Sequence, residues 1–172
     1  MIIDLTTEFG ARVARRLQSD EIVWLTTVRP NGTPEPSPVW FYWDGATFLV
    51  YSHPGKVKLQ DIAANPRVAL NFNSDETGDD IVVFTGDARE DRSVPPANKF
   101  KEYLAKYEKP IVRIGMTPES FARAYSVPIR VTPTKVRGFN RSHRKQYVQA
   151  VAVLNDVGLA LRADQSEFFR LG

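Results

Sequence analysis

Ile22-Val23-Trp24-Leu25-Thr26-Thr27-Val28, followed by Arg29-Pro30-Asn31-Gly32-Thr33, decides the fold of this chain. The first seven residues are mostly β-branched or aromatic, types that fit a pleated, half-buried strand. Asn31-Gly32 supplies positive φ at little steric cost, so the chain turns back as a hairpin. The returning segment carries Pro34, Pro36 and Pro38. Proline cannot donate to a ladder, so this segment is an edge strand or a bulged start. Alternation resumes over residues 39–43, Asp44-Gly45 turns again, and residues 47–52 form a third strand.

Upstream, residues 6–19 read as an amphipathic helix. Phe9, Val13, Arg16 and Leu17 share a stripe, with Thr6 or Thr7 as the cap. Downstream, a short helix over 56–65 is stopped by Asn65-Pro66. Strands follow over 67–73 and 81–90, separated by the acidic loop 74–80. Residues 95–108 read as a helix, with Phe100, Tyr103, Leu104 and Tyr107 at i, i+3, i+4 and i+7. Thr117-Pro118-Glu119-Ser120 opens another helix, and 129–139 is a last strand interrupted at Pro133. About six hairpin-linked strands with few helices define a mainly β, α+β protein built on an antiparallel barrel. Residues 140–172 differ. Val148, Val151, Leu154, Leu159, Leu161 and Phe168 fit one or two amphipathic helices, so a helical extension is expected beyond a domain spanning 1–139.

A chain of 172 residues suits one sizeable core. No apolar stretch reaches the ~18 residues that span a bilayer. The start has neither a basic nor an apolar signal segment, and a cytoplasmic location without membrane attachment is expected. Cysteine is absent, which excludes disulfides and thiolate chemistry, and His53 and His143 are the only histidines, so no metal site is expected. The net charge of +3 is too small an excess to call for nucleic acid. An anionic small ligand needs only a local cluster of cations.

Such a cluster stands in Ser52-His53-Pro54-Gly55-Lys56-Val57-Lys58. A glycine turn at a helix start presents free N–H groups and the positive end of the helix dipole to an anion. The dipole disfavours cations there, so Lys56 and Lys58 are misplaced unless an anion joins them. Ser52 and the Pro54-Gly55 backbone can add hydrogen bonds, or form an ordinary turn. The preceding strands carry Trp40, Phe41, Tyr42, Trp43, Phe48 and Tyr51. Together these features point to a flat, phosphorylated cofactor on a β-barrel. Arg67, at a strand start, reaches a phosphate or pairs at the surface. Thr26 and Thr27 are cofactor contacts or plain β-formers. His53 is an exposed turn residue or a proton donor. Arg130, Lys135, Arg137, Arg141, Arg144 and Lys145 form a basic run that is solvated or faces an acidic ligand.

The chain resembles the flavin-reductase-like split barrels, the pyridoxamine-phosphate-oxidase-like superfamily. It is most similar to the actinobacterial proteins that use the deazaflavin coenzyme F-420. The likeness rests on Trp24-Leu25-Thr26-Thr27-Val28, Asn31-Gly32-Thr33-Pro34, Pro38-Val39-Trp40-Phe41 and Tyr51-Ser52. It continues through Lys56-Val57-Lys58-Leu59, Asn65-Pro66-Arg67-Val68 and Arg130-Val131-Thr132-Pro133-Thr134-Lys135-Val136-Arg137-Gly138. The resemblance implies a six-stranded split barrel that pairs into a homodimer, with cofactor grooves at the interface. It implies that the lysines after the third strand hold the cofactor phosphate, and that Pro38, Val39 and Trp40 line the ring.

The function expected is hydride transfer from a bound deazaflavin to an unsaturated small molecule. The cofactor carries the chemistry and the protein binds and orients it, with no catalytic side chain. An FMN-dependent oxidase or reductase of the same fold is the alternative, as is a non-catalytic protein binding the deazaflavin or a tetrapyrrole.

Overall fold

The computed structural model describes residues 3, 4, 6–140 and 145–150. Helix α1 (Glu8–Ser19) is capped by Thr7, whose Oγ1 accepts the Gly10 N–H at 3.0 Å. Strands β1 (Ile22–Val28) and β2 (Pro34–Trp40) form the hairpin, and the Gly32 φ of 86° shows why glycine stands in its turn. Strands β3 (Tyr42–Trp43) and β4 (Phe48–Ser52), helix α2 (Val57–Ala64), and strands β5 (Arg67–Asn71) and β6 (Ile81–Glu90) follow. After a 3-10 turn at Ala97–Lys99 come α3 (Lys101–Arg113), α4 (Pro118–Ala124), β7 (Val127–Asn140) and β8 (Lys145–Ala150).

The sheet is antiparallel and curled into a half-barrel, in the order β2-β1-β5-β6-β7-β4-β3, with β8 pairing β7 off this path. The expectation of six strands is therefore corrected: seven follow one path and an eighth joins them. Two local causes account for the difference. Residues 39–43 are not one strand. The chain leaves β1 after Trp40 and joins β4 at Tyr42, and Phe41 lies between the two ladders. Residues 145–150, inside the stretch expected to be helical, pair with β7 instead. Residues 151–172 of that extension lie outside the described residues.

Long β7 explains the split. One edge pairs with β6 throughout, while the other is shared by β4 (Phe48↔Val131) and β8 (Lys135↔Ala150). A bulge at Thr85/Gly86 bends the ladder, and a Cβ on Gly86 would overlap the Thr132 carbonyl oxygen. Helix α3 runs past the expected end at 108 to Arg113 and contains Pro110, which is buried.

Two apolar clusters flank β4, all five residues of which are buried. Phe48 and Val50 face the barrel with Val13, Leu25, Phe41, Phe84 and Ile129. Leu49 and Tyr51 face the other way, under Tyr103, Tyr107 and Ile111 of α3 and Phe121 of α4. Period-2 alternation thus gives one strand two cores. The helices lie on the outer face of the strand that leads into the candidate phosphate corner.

Candidate functional site

A cavity of about 170 Å³ opens where β2, β4, α2, α3 and α4 meet. Pro38, Val39 and Trp40 line it from β2, and Tyr51, Ser52, His53, Lys56 and Lys58 line it from β4 and the turn after it. Six residues named from the sequence (Pro38, Val39, Trp40, Ser52, Lys56 and Lys58) therefore converge on one space. Thr26 and Arg67 do not line it: Thr26 is half-buried in mid-β1, and Arg67 is exposed on β5 opposite Asp87.

Local chemistry holds the corner in place. Gly55 takes a φ of 73°, which lets the chain turn tightly into α2. Lys56 occupies the N-cap and makes no side-chain cap. Buried Thr27 donates to buried Asp61 at 2.8 Å, tying the body of α2 to β1. Thr27 therefore has a structural partner of its own. Ser52, 4% exposed, donates its hydroxyl proton to the His53 carbonyl at 3.1 Å.

Lys56 is exposed and Lys58 half-buried. Neither forms an ion pair among the described residues. Burial first, and the neighbouring Lys56 charge second, hold the Lys58 ammonium below the usual lysine pKa. An anion between the two ammonium groups reverses both effects.

The opposite wall is aromatic. Trp40 stacks on Tyr107 at 4.9 Å and on Phe121 at 5.5 Å, within 12° and 20° of parallel. Phe121 stacks on Tyr125 at 4.4 Å, and Tyr125 meets the His53 ring at 4.0 Å. The Tyr51 hydroxyl donates to the Pro95 carbonyl at 2.6 Å, and burial pushes its pKa up to about 12. Tyr103, also lining the cavity, has no exposed surface, and its hydroxyl has no hydrogen-bond partner. Burial, with Tyr107, Tyr51 and Tyr125 nearby, raises its pKa.

Sequence reasoning missed this wall. Tyr103 was visible as part of a helical stripe, but no periodicity says which strand face a helix covers. Phe121, Tyr125 and Ile114 carry no local signal at all.

The basic run divides. The Arg130 guanidinium is held by Asp91 at 2.6 Å, Asp44 at 2.8 Å and Thr47 at 2.6 Å, joining β7 to the β3–β4 turn and the end of β6. Burial opposes its charge, but these carboxylates keep its pKa above the usual arginine value. Lys135 and Arg137 are exposed. Arg141, His143 and Arg144 lie outside the described residues, as does the side chain of Lys145.

A second, wider depression of about 920 Å³ lies between α1, the β3–β4 turn and α3, with Trp43 and Lys106 in its wall. It lacks paired, unneutralised cations, and its lysine is occupied by the fold. Lys106 Nζ donates to the carbonyls of Phe41 and Leu17 at 3.2 and 3.4 Å, and sits 3.8 Å from the Phe41 ring centroid. No group of three His, Cys, Asp or Glu residues among those described is placed to hold a metal ion, and no described helix is long and apolar enough to cross a membrane.

The family model of pyridoxamine 5'-phosphate oxidase matches residues 9–140, from α1 to the end of β7. The chain belongs to this family. A solved F420 reductase is 27% identical over 71% of this chain and 93% of its own, with a TM-score of 0.52. General Stress Protein 26 from Bacillus anthracis str. Sterne is 20% identical over 80% of this chain and 95% of its own, with a TM-score of 0.60. A FAD-binding protein from Mesorhizobium loti is 18% identical over 74% of this chain and 89% of its own, with a TM-score of 0.54. These last two show the fold alone. No curated protein sequence matches the chain. The family takes its name from an oxidase, and the solved structures similar to this chain include an F420 reductase and a FAD-binding protein.

Proposed function

We propose that this protein is an oxidoreductase that binds the deazaflavin F420 and reduces an unsaturated small molecule. The observation that carries this reading is the pair Lys56 and Lys58, without acidic partners, at the mouth of an aromatic cavity in a chain of this family. The likeness to an F420 reductase at 27% identity favours the deazaflavin over FMN.

In this reading Lys56 and Lys58 hold the phosphate, helped by the first N–H groups of α2. Pro38, Val39 and Trp40 lie against the ring, with Pro38 on an edge strand where backbone carbonyls are free to accept. The aromatic wall orients substrate and excludes water. The bound coenzyme supplies the hydride, so no nucleophilic side chain is required. Arg130 is already neutralised, so an acidic coenzyme tail meets exposed Lys135 and Arg137, if any part of the run. A homodimer fits the same picture: Val57 is 43% exposed beside the cavity, Ile114 48% exposed on its rim, and Val112 62% exposed on α3, and a second protomer would cover them.

Titrating the purified apoprotein with F420 and with FMN, followed by ring fluorescence and calorimetry, tests the proposal. Tighter binding of F420 is the expected result. Tighter binding of FMN replaces the deazaflavin reading with the flavin one, and binding of either without turnover over a panel of unsaturated acceptors replaces the enzyme with a carrier.

A further inference from the structure

We propose that the wide depression between α1, the β3–β4 turn and α3 is the seat of this chain's own C-terminal segment, residues 151–172. The groove suits an apolar peptide better than an anion. Ile3 and Leu17, both buried, form its apolar wall with Ala14, Trp43 and Ala105. Its polar groups are mostly engaged within the fold: Lys106 donates to the Phe41 and Leu17 carbonyls, and Asp44 is held by Arg130. Glu102, exposed on the rim, pairs with no cation among the described residues.

Strand pairing delivers the segment to this groove. Strand β8 runs along β7 from Lys145, opposite Asn140, to Ala150, opposite Lys135. The same edge of β7 is taken by β4 from Val131, opposite Phe48. The four-residue step from Lys135 to Val131 covers about 13 Å in a strand. The chain beyond Ala150 therefore meets the start of β4 and must leave the ladder there. The β3–β4 turn projects from that end of β4, and its Asp44 and Gly45 belong to the groove wall. Helix α1, another wall, also begins beside β8. The Phe9 ring lies so close to Gly138, the β7 residue paired with Tyr147, that a Cβ there would overlap it. Residues 151–172 span roughly 33 Å even when wound as a helix, more than the length of α3. Val151, Val153, Leu154, Leu159 and Leu161 give the segment apolar surface to bury, and Arg162 is a cation for Glu102.

A benzophenone amino acid in place of Ala105, exposed in the groove wall, tests the contact in the full chain. The same probe in place of Arg67, exposed on β5, is the control. After irradiation, mass spectrometry should find cross-links from position 105 to residues 151–172, and none from position 67 to them. Mixing ¹⁵N-labelled with unlabelled protein distinguishes one chain from two, and every such cross-link should join peptides of one isotope form. Mixed-isotope cross-links would seat a second copy in the groove and overturn the inference, as would the lack of any cross-link to 151–172. Trypsin cleavage after Arg162 supplies an independent measurement. Ala105→Glu keeps a strong helix former but sets a charge on the apolar wall. Cleavage after Arg162 should be several-fold faster in Ala105→Glu than in wild type, because proteolysis follows the population of the open form. Cleavage after Arg67, in the barrel, should not change. Equal rates at Arg162, or the same acceleration at both sites, overturns the inference.

Discussion

The hydroxyl of Tyr107 stands in for a neighbouring strand at Phe41. It accepts the Phe41 N–H at 2.9 Å and lies 2.7 Å from the Phe41 carbonyl and 2.8 Å from that of Glu21. Phe41 is the residue at which the chain passes from the β1 ladder to the β4 ladder, so its peptide groups have no strand to pair with. One phenol on α3 supplies what the sheet cannot. Tyr107→Phe keeps the ring and its stack on Trp40 but orphans the buried Phe41 N–H, while the Phe41 carbonyl keeps Lys106 Nζ at 3.2 Å. Urea denaturation should show a loss of about 1–3 kcal/mol, the cost of a buried unsatisfied peptide group. A loss below 0.5 kcal/mol, on the order of an ordinary surface substitution, would mean that water replaces the phenol.

Changing Lys56 and Lys58 together to alanine should weaken binding of the phosphorylated coenzyme by about 1.5–3 kcal/mol for each charged hydrogen bond lost. Wild-type binding should fall as salt rises, and that dependence should flatten in the double variant. Removing a like-charge pair with no acidic partner should leave folding stability at or slightly above wild type. Unchanged coenzyme affinity in calorimetry would remove the phosphate from this corner.

Asp91 carries an acid-side prediction. Its carboxylate is hydrogen-bonded by the Ser93 hydroxyl and then by Arg130, which together hold its pKa at about 2 against an ordinary 3.8. A depressed carboxylate pKa stabilises the fold above the unfolded value and loses that contribution as pH falls through the folded one. Asp91→Asn should therefore be less stable than wild type at neutral pH. The gap should narrow from about pH 4 downward and close near pH 2. A gap that persists unchanged to pH 2 in denaturant titrations would refute the pairing.

Lys106 predicts the opposite limb. Burial lowers its pKa to about 8 from 10.5, against the opposing pull of Asp20 and Glu21. The unfolded chain therefore binds more protons between these values, so this residue's contribution to stability rises with pH from about 8 to 10.5. Below pH 8 the penalty on its charge is fully present. Lys106→Met removes the titration, so wild type should gain on the variant as pH rises from 8 to 9.5, short of the range where tyrosines ionise. Parallel stability curves over that interval would show that the amine keeps an ordinary pKa.

Residues 22–52 were legible because their information is local. Alternation, the Asn31-Gly32 turn and the prolines of β2 each act within a few residues, and they yield the hairpins and the edge strand directly. The cationic corner was legible for a similar reason. A glycine turn, a helix start and two misplaced lysines are neighbours in sequence, and all six converging residues come from just two segments, 38–40 and 52–58. Thr26 and Arg67 were drawn from the same region, but strand pairing carries them away from the cavity.

The sequence by itself determined most of the strands, the turns and the cationic corner, because hydrogen-bond geometry and periodicity act over short distances. Only the tertiary structure decided that the chain switches ladders at Phe41, that β7 divides one edge between β4 and β8, and that β4 is buried on both faces. Each depends on which element arrives opposite, and no local pattern encodes that. The same applies to Arg130, which reads as a free cation until Asp44 and Asp91, 86 and 39 residues away in the chain, close around it. It applies as well to Tyr103, whose hydroxyl has no hydrogen-bond partner where α3 packs it against β4 and α4.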